Sequence, residues 1–155
     1  VFVPALARVV RDYPQDAVTK QDYFDAFMTY VRAQRYDGRP YIGEYLDEKT
    51  GEWIMGSNPR SRFYHHSTFA DLLIDGVIGL RPRAGDVLEL DPLLPADTWA
   101  WFCLENVRYH DHDVTIVWDR DGRRFGRGAG LSVWVDGHPL ARSPRWEKLT
   151  VTLPR

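Results

Sequence analysis

Apolar and polar positions along this chain follow two regimes. Up to about residue 84 the apolar residues recur at helical spacing, and from about Asp86 onward they alternate as strands do. Leu6, Val9 and Val10 form a short helical stripe within Pro4 to Tyr13, closed by Pro14. Thr19 then offers an N-cap, with Asp22 three residues on as a reduced capping box. Tyr23, Phe24, Phe27, Tyr30, Val31 and Gln34 follow at i, i+3, i+4, i+7 spacing, which predicts one amphipathic helix from Lys20 to about Tyr36. Asp37-Gly38-Arg39-Pro40 is expected to end it, because glycine accepts a left-handed cap and proline cannot continue a helix.

A polar loop rich in aromatics runs from Tyr41 to about Arg62, near the length at which loops are usually functional. Thr68 and Asp71 make a second capping box. The helix they predict carries Phe69, Leu72, Leu73, Val77 and Leu80 on one face and Ile74 and Ile78 on another. A helix apolar over more than half its girth belongs between layers. Gly76 and Gly79 would weaken it unless close packing requires them.

Strands are predicted at Val87 to Leu90, at Trp99 to Leu104 (apolar on both faces), around Val114, Ile116 and Trp118, at Leu131 to Val135, and at Leu149 to Leu153. Asp119-Arg120-Asp121-Gly122 and Asp136-Gly137 are hairpin signals between them. The fold class is therefore α+β, with helices first and an antiparallel sheet or small sandwich after. The expected domains are 1–84, holding the loop 41–62, and 85–155.

A formal net charge of -2 over 155 residues argues against a dedicated nucleic-acid binder, and nothing calls for a membrane, since no apolar run approaches the length of a bilayer span. One cysteine, Cys103, excludes an internal disulfide. Six tryptophans, eight tyrosines and seven phenylalanines are plentiful for this length; part of them is core, but flat aromatic surfaces are also what sugar rings stack on. Val1 is not an initiator methionine and no signal peptide or charged n-region precedes it, so the chain is expected to be either processed or, by preference, a piece of something longer.

Among groups that could do chemistry, the loop carboxylates Glu44, Asp47, Glu48 and Glu52 come first. Glu44 lies among Tyr41, Tyr45 and Trp53, where rings that exclude water suit a general acid or base; most loop carboxylates are nevertheless solvated charges. Tyr64-His65-His66-Ser67 precedes a predicted helix start, and it reads as capping and packing or as ligand contact. Adjacent histidines diverge and make a poor metal pair. His110-Asp111-His112-Asp113 resembles a metal cluster but sits at a hairpin tip, so no metal and no cofactor is expected. Gly126-Arg127-Gly128-Ala129-Gly130 lacks the context of a phosphate cradle. Arg120, Arg123, Arg124 and Arg127 read as a solvated face.

Taken in order, Gly43-Glu44-Tyr45, Thr50-Gly51-Glu52-Trp53 and His66-Ser67-Thr68-Phe69-Ala70-Asp71-Leu72 resemble the carboxy-terminal end of six-hairpin (α/α)6-barrel glycosidases. The similar groups are the trehalases, family 63 and the mannosylglycerate-hydrolase-like enzymes, in forms that append a β-rich domain. Glu89-Leu90-Asp91-Pro92 and Gly130 to Gly137 are similar to that appended region. The resemblance implies a carbohydrate substrate cleaved by acid/base hydrolysis with inversion, and Glu44 as the general base that activates water. Tyr41, Tyr45, Trp53, Tyr64 and His66 would be sugar contacts. Inversion needs two carboxyl groups about 6.5–9.5 Å apart, and the family's general acid lies far upstream. The resemblance therefore implies an inactive portion that needs the remainder of a barrel, from the same polypeptide or a partner chain. Two alternatives stay open: a non-catalytic carbohydrate-binding or accessory module using tryptophans as a platform, and a structural β domain that docks on a barrel.

Overall fold

The computed structural model describes residues 2–54, 62–64 and 68–155. The chain divides into two units, Val1–Leu72 and Leu73–Arg155. The division falls inside the third helical segment, while the change in hydrophobic pattern lies near residue 84.

The first unit begins with α1 (Phe2–Asp12) and α2 (Lys20–Ala33), which pack on each other. The capping box at α2 is fully made. Thr19 Oγ1 accepts from the Asp22 N–H at 3.3 Å, and Asp22 Oδ2 accepts from the Thr19 N–H at 2.8 Å. This satisfies amide groups that a helix start otherwise leaves without partners. Tyr23, Phe24 and Phe27 form the buried face of α2. Phe27 stacks on Phe69 with centroids 5.7 Å apart, Tyr30 meets Phe69 edge-on, and Tyr23 Oη donates to the Leu72 carbonyl at 2.8 Å.

The helix stops short of Tyr36. Arg35–Tyr36 (β1) and Arg39–Pro40 (β2) pair as a small antiparallel hairpin, and Asp37 and Gly38 form its two-residue turn at φ 50° and 71°. Asp-Gly is the strongest hairpin signal a sequence offers, and here that turn prevails over a helix cap.

The third helical segment also departs from expectation. Thr68 makes no side-chain cap hydrogen bond, and only Phe69–Asp71 (α3) is α-helical. Leu72–Ile78 then widens into a π-helix, and Leu80 belongs to a strand. Gly79, at φ 84°, donates to the Ile74 carbonyl five residues back at 2.9 Å. A side chain on Gly79 would strike the Asp91–Pro92 backbone, so close packing does require this glycine.

The second unit is a small two-sheet sandwich. One sheet has the order β3-β4-β9, made of Leu80–Arg81, Val87–Leu90 and Leu149–Thr152. The other is a four-stranded antiparallel meander of β5 (Trp101–Tyr109), β6 (His112–Asp119), β7 (Gly130–Val135) and β8 (His138–Ser143). Leu80, Leu88 and Leu90 of the first share one core with Val114, Ile116, Leu131 and Val133 of the second. His110-Asp111 and Asp136-Gly137 supply tight turns, all four residues at positive φ.

Strand β5 is not buried on both faces. Its residues alternate, with Phe102 in the core and Trp101 48% exposed. On the outer side Trp101 is partly covered by the loop that follows β6: Arg124 lies 4.3 Å above its ring and Phe125 meets it edge-on at 6.0 Å.

Candidate functional site

The candidate site lies in the first unit and is built from a small aromatic cluster upward. Tyr41 packs against Trp53 at 5.3 Å, Tyr36 at 5.4 Å and Phe63 at 6.0 Å. Trp53 Nε1 donates to the Arg35 carbonyl at 3.0 Å, and Leu46 and Trp53 form an antiparallel bridge. The Ile54 and Phe63 amides donate to the Tyr45 and Ile42 carbonyls, which ties the loop at both ends. Between those ties, Gly43 is pressed onto the rings. A Cβ there would lie 2.8 Å from Tyr41 and 2.9 Å from Trp53. The backbone carrying Glu44 is thus seated directly on the aromatic cluster.

Glu44 itself is half-buried, and Tyr45 Oη donates to its Oε1 at 2.7 Å. Asp47 has a different task. Its Oδ1 accepts from the Thr50 and Lys49 amides, which holds its carboxyl below the usual carboxylate range and closes the turn before Trp53. Glu48 and Glu52 are exposed.

The expected sugar contacts separate into two kinds. Tyr41 and Trp53 are packed to 7% and 9% exposure and form the support of the loop. Tyr45 and Tyr64 are exposed at 52% and 48%. His66 lies outside the described residues, as do His65 and Ser67. A groove of about 800 Å³ adjoins the cluster, lined by Tyr30, Tyr36, Leu46, Glu52 and Trp53 among others; Glu44 is not in its lining. Two contributors were hidden in the sequence. Gly43 acts by close contact, and Phe63 is an unremarkable loop residue until it meets Tyr41.

Other polar clusters belong to the second unit. Among the described residues no group of three potential ligands could hold a metal ion, and no helix is long and apolar enough to cross a membrane. At the hairpin tip, His112 Nδ1 lies 2.6 Å from Asp136 Oδ2 and Nε2 lies 3.1 Å from the Pro154 carbonyl. Both ring nitrogens face acceptors, so the doubly protonated ring fits best. The Asp136 hydrogen bond accordingly raises the His112 pKa above its ordinary value, and His112 lowers that of Asp136. Glu89, 7% exposed, receives Arg83 Nε at 2.7 Å on Oε2. Lys148 Nζ lies 3.2 Å from Oε1, an ion-pair approach without hydrogen-bond alignment. The Arg83 bond outweighs burial and brings the Glu89 pKa down to about 2.

Comparison with known proteins divides along the same lines. Residues 1–67 match the family model of the mannosylglycerate hydrolase MGH1-like glycoside hydrolase domain. Residues 80–141 match that of the glycosyl hydrolase family 65 C-terminal domain. A solved structure titled Sialidase is similar over 96% of this chain, with 48% identity and a TM-score of 0.91. The chain spans 14% of the length of that protein.

Proposed function

Since this chain is glycoside hydrolase sequence in both parts, a helical MGH1-like piece followed by a C-terminal β domain, we propose that it supplies the general base of an inverting glycosidase. Glu44 takes the proton of the attacking water in this reading. The general acid, on the opposite face of the scissile bond, comes from the rest of an (α/α)6 barrel, from the same polypeptide or a partner chain. Tyr45 positions the Glu44 carboxylate, and Tyr45, Tyr64 and His66 approach the sugar. Tyr41 and Trp53 contribute through the aromatic bed beneath the loop, with Trp53 also reaching the groove.

The observation that carries this reading is the Glu44 carboxylate held by Tyr45 at 2.7 Å on a backbone seated against Tyr41 and Trp53, within the stretch that matches the glycosidase family. Replacement Glu44→Gln in the assembled enzyme tests it. Hydrolysis of aryl glycosides is expected to fall about 10²–10⁴-fold, the usual contribution of a general base. A decrease of only about threefold would sink the assignment. Proton NMR of the first-formed product tests inversion separately, since a retained anomer points to a nucleophile instead.

A further inference from the structure

We propose that the outer face of the four-stranded sheet is a binding surface for an acidic saccharide, one bearing carboxylate groups. The pairing register places Trp101, Cys103, Ser132, Trp134 and Arg142 on this face, opposite the core-facing Phe102, Trp118, Leu131 and Val133. The loop 120–129 between β6 and β7 carries its arginines back over it. Arg124 lies 4.3 Å above the Trp101 ring and Arg127 4.5 Å above that of Trp134. A side chain on Gly128 would strike the Arg142 guanidinium, so the third arginine is pressed against the same loop.

Arg124 and Arg142 are exposed and Arg127 is half-buried, and what sets these three apart is the absence of a carboxylate partner. Arg120 and Arg123 have carboxylates nearby, Asp97 at 3.9 Å and Asp121 at 3.7 Å. Among the described residues, Arg124, Arg127 and Arg142 have none within ion-pair reach. Two guanidinium groups lie over indoles, which limits their freedom, and their N–H donors can grip a planar anion. Carboxylates fit that fork in a bidentate way, and guanidinium groups without an ion-pair partner favour a negative one. Trp101 adds a half-exposed indole, and the part of it that Arg124 and Phe125 leave uncovered can meet the apolar face of a sugar ring. Glu105 is also near, since Cys103 feels its charge as well as that of Arg127. The choice of a saccharide over other anions rests on the glycosidase reading above.

The test uses the full-length protein with Glu44→Gln, so that no probe is consumed, and isothermal titration with three probes: an oligogalacturonate, a malto-oligosaccharide of equal length, and an oligoglutamate peptide. Oligogalacturonate is expected to bind at least about tenfold more tightly than either other probe, and added salt to weaken it. Arg124→Ala with Arg127→Ala should cost about tenfold in affinity. If that pair does not fold, Arg124→Lys with Arg127→Lys decides. It keeps the charge but loses the fork, and affinity should still fall several-fold. Equal binding of the neutral oligosaccharide, binding of oligoglutamate as tight as the sugar acid, or affinity unchanged in a folded double variant overturns the proposal. Absent binding alongside lost hydrolysis in Glu44→Gln defeats this surface alone. Binding alongside intact hydrolysis defeats only the Glu44 assignment.

Discussion

Gly43 fixes where Glu44 can stand. Its Cα rests on two rings, and adding one methyl places carbon 2.8 Å from Tyr41 and 2.9 Å from Trp53, well inside contact distance. The rings cannot yield easily, because Trp53 is tied to the Arg35 carbonyl and Tyr41 is hemmed by Tyr36 and Phe63. Gly43→Ala is therefore expected to lift the loop and to destabilise the first unit by about 1–3 kcal/mol, the usual cost of overpacking. A small shift of a catalytic group is costly as well, about 10²-fold for a displacement near 1 Å. Urea unfolding and turnover of the assembled enzyme check the two effects. A variant with wild-type stability and turnover would show that the ring contact does not set the loop.

At the scale of elements, Asp119 organises the loop 120–129. It is 1% exposed at the end of β6, and it accepts from the Gly122, Arg124 and Phe125 amides at 2.9–3.1 Å. A buried carboxylate answered by backbone donors behaves as a fold-back clasp, and removing it leaves several amides without partners. Asp119→Ala is expected to cost about 2–4 kcal/mol in chemical denaturation. It should also release Arg124 from Trp101, seen as a change in tryptophan emission.

This clasp also shows how far the sequence could be read. The capping box at Thr19, the strand Val87–Leu90 and the turn at Asp136-Gly137 each announce themselves through a local rule, and each is present. What escaped was decided by competition or distance. Asp37-Gly38 satisfies both a helix end and a hairpin, and only the pairing of Arg35–Tyr36 with Arg39–Pro40 chooses between them. Arginines on a hairpin read as a solvated face, and Arg120, Arg123 and Arg124 are exposed, but the indoles that Arg124 and Arg127 cover come from positions a strand away and cannot be read from the letters. At the site, Glu44 and its aromatic neighbours were legible as a cluster. That Tyr41 and Trp53 would lie beneath the loop, with Tyr45 and Tyr64 exposed, depended on Gly43 and Phe63.

At the scale of the whole molecule, two charged clusters set opposite edges of a stability window. Glu89 has its pKa lowered from 4.5 to about 2. Its contribution is thus complete above the unfolded value and is lost as pH falls through about 2; it is on the order of 2 kcal/mol once the exposure of Arg83 and Lys148 is allowed for. His112 has its pKa raised from 6.5, so its contribution is complete below that value and fades as pH rises through the folded one. Both are in force between 4.5 and 6.5. Calorimetric melting temperature should peak there. Glu89→Gln should flatten the acid limb and His112→Gln the neutral one; an unchanged acid limb in Glu89→Gln would refute the first assignment.

The π-helix at Leu72–Ile78 has a consequence for comparing this chain with others. A π-turn carries an extra residue relative to an α-turn, so it records a place where one position can be added or removed while both flanks keep their roles. The two family matches stop at 67 and resume at 80, on either side of this segment. Residues on its two sides therefore have to be aligned from separate anchors, Phe69 against Phe27 before it and Gly79 against Asp91–Pro92 after it. An alignment that runs straight through at α-helical spacing would assign Gly79 to the wrong residue in any relative whose helix lacks the extra residue.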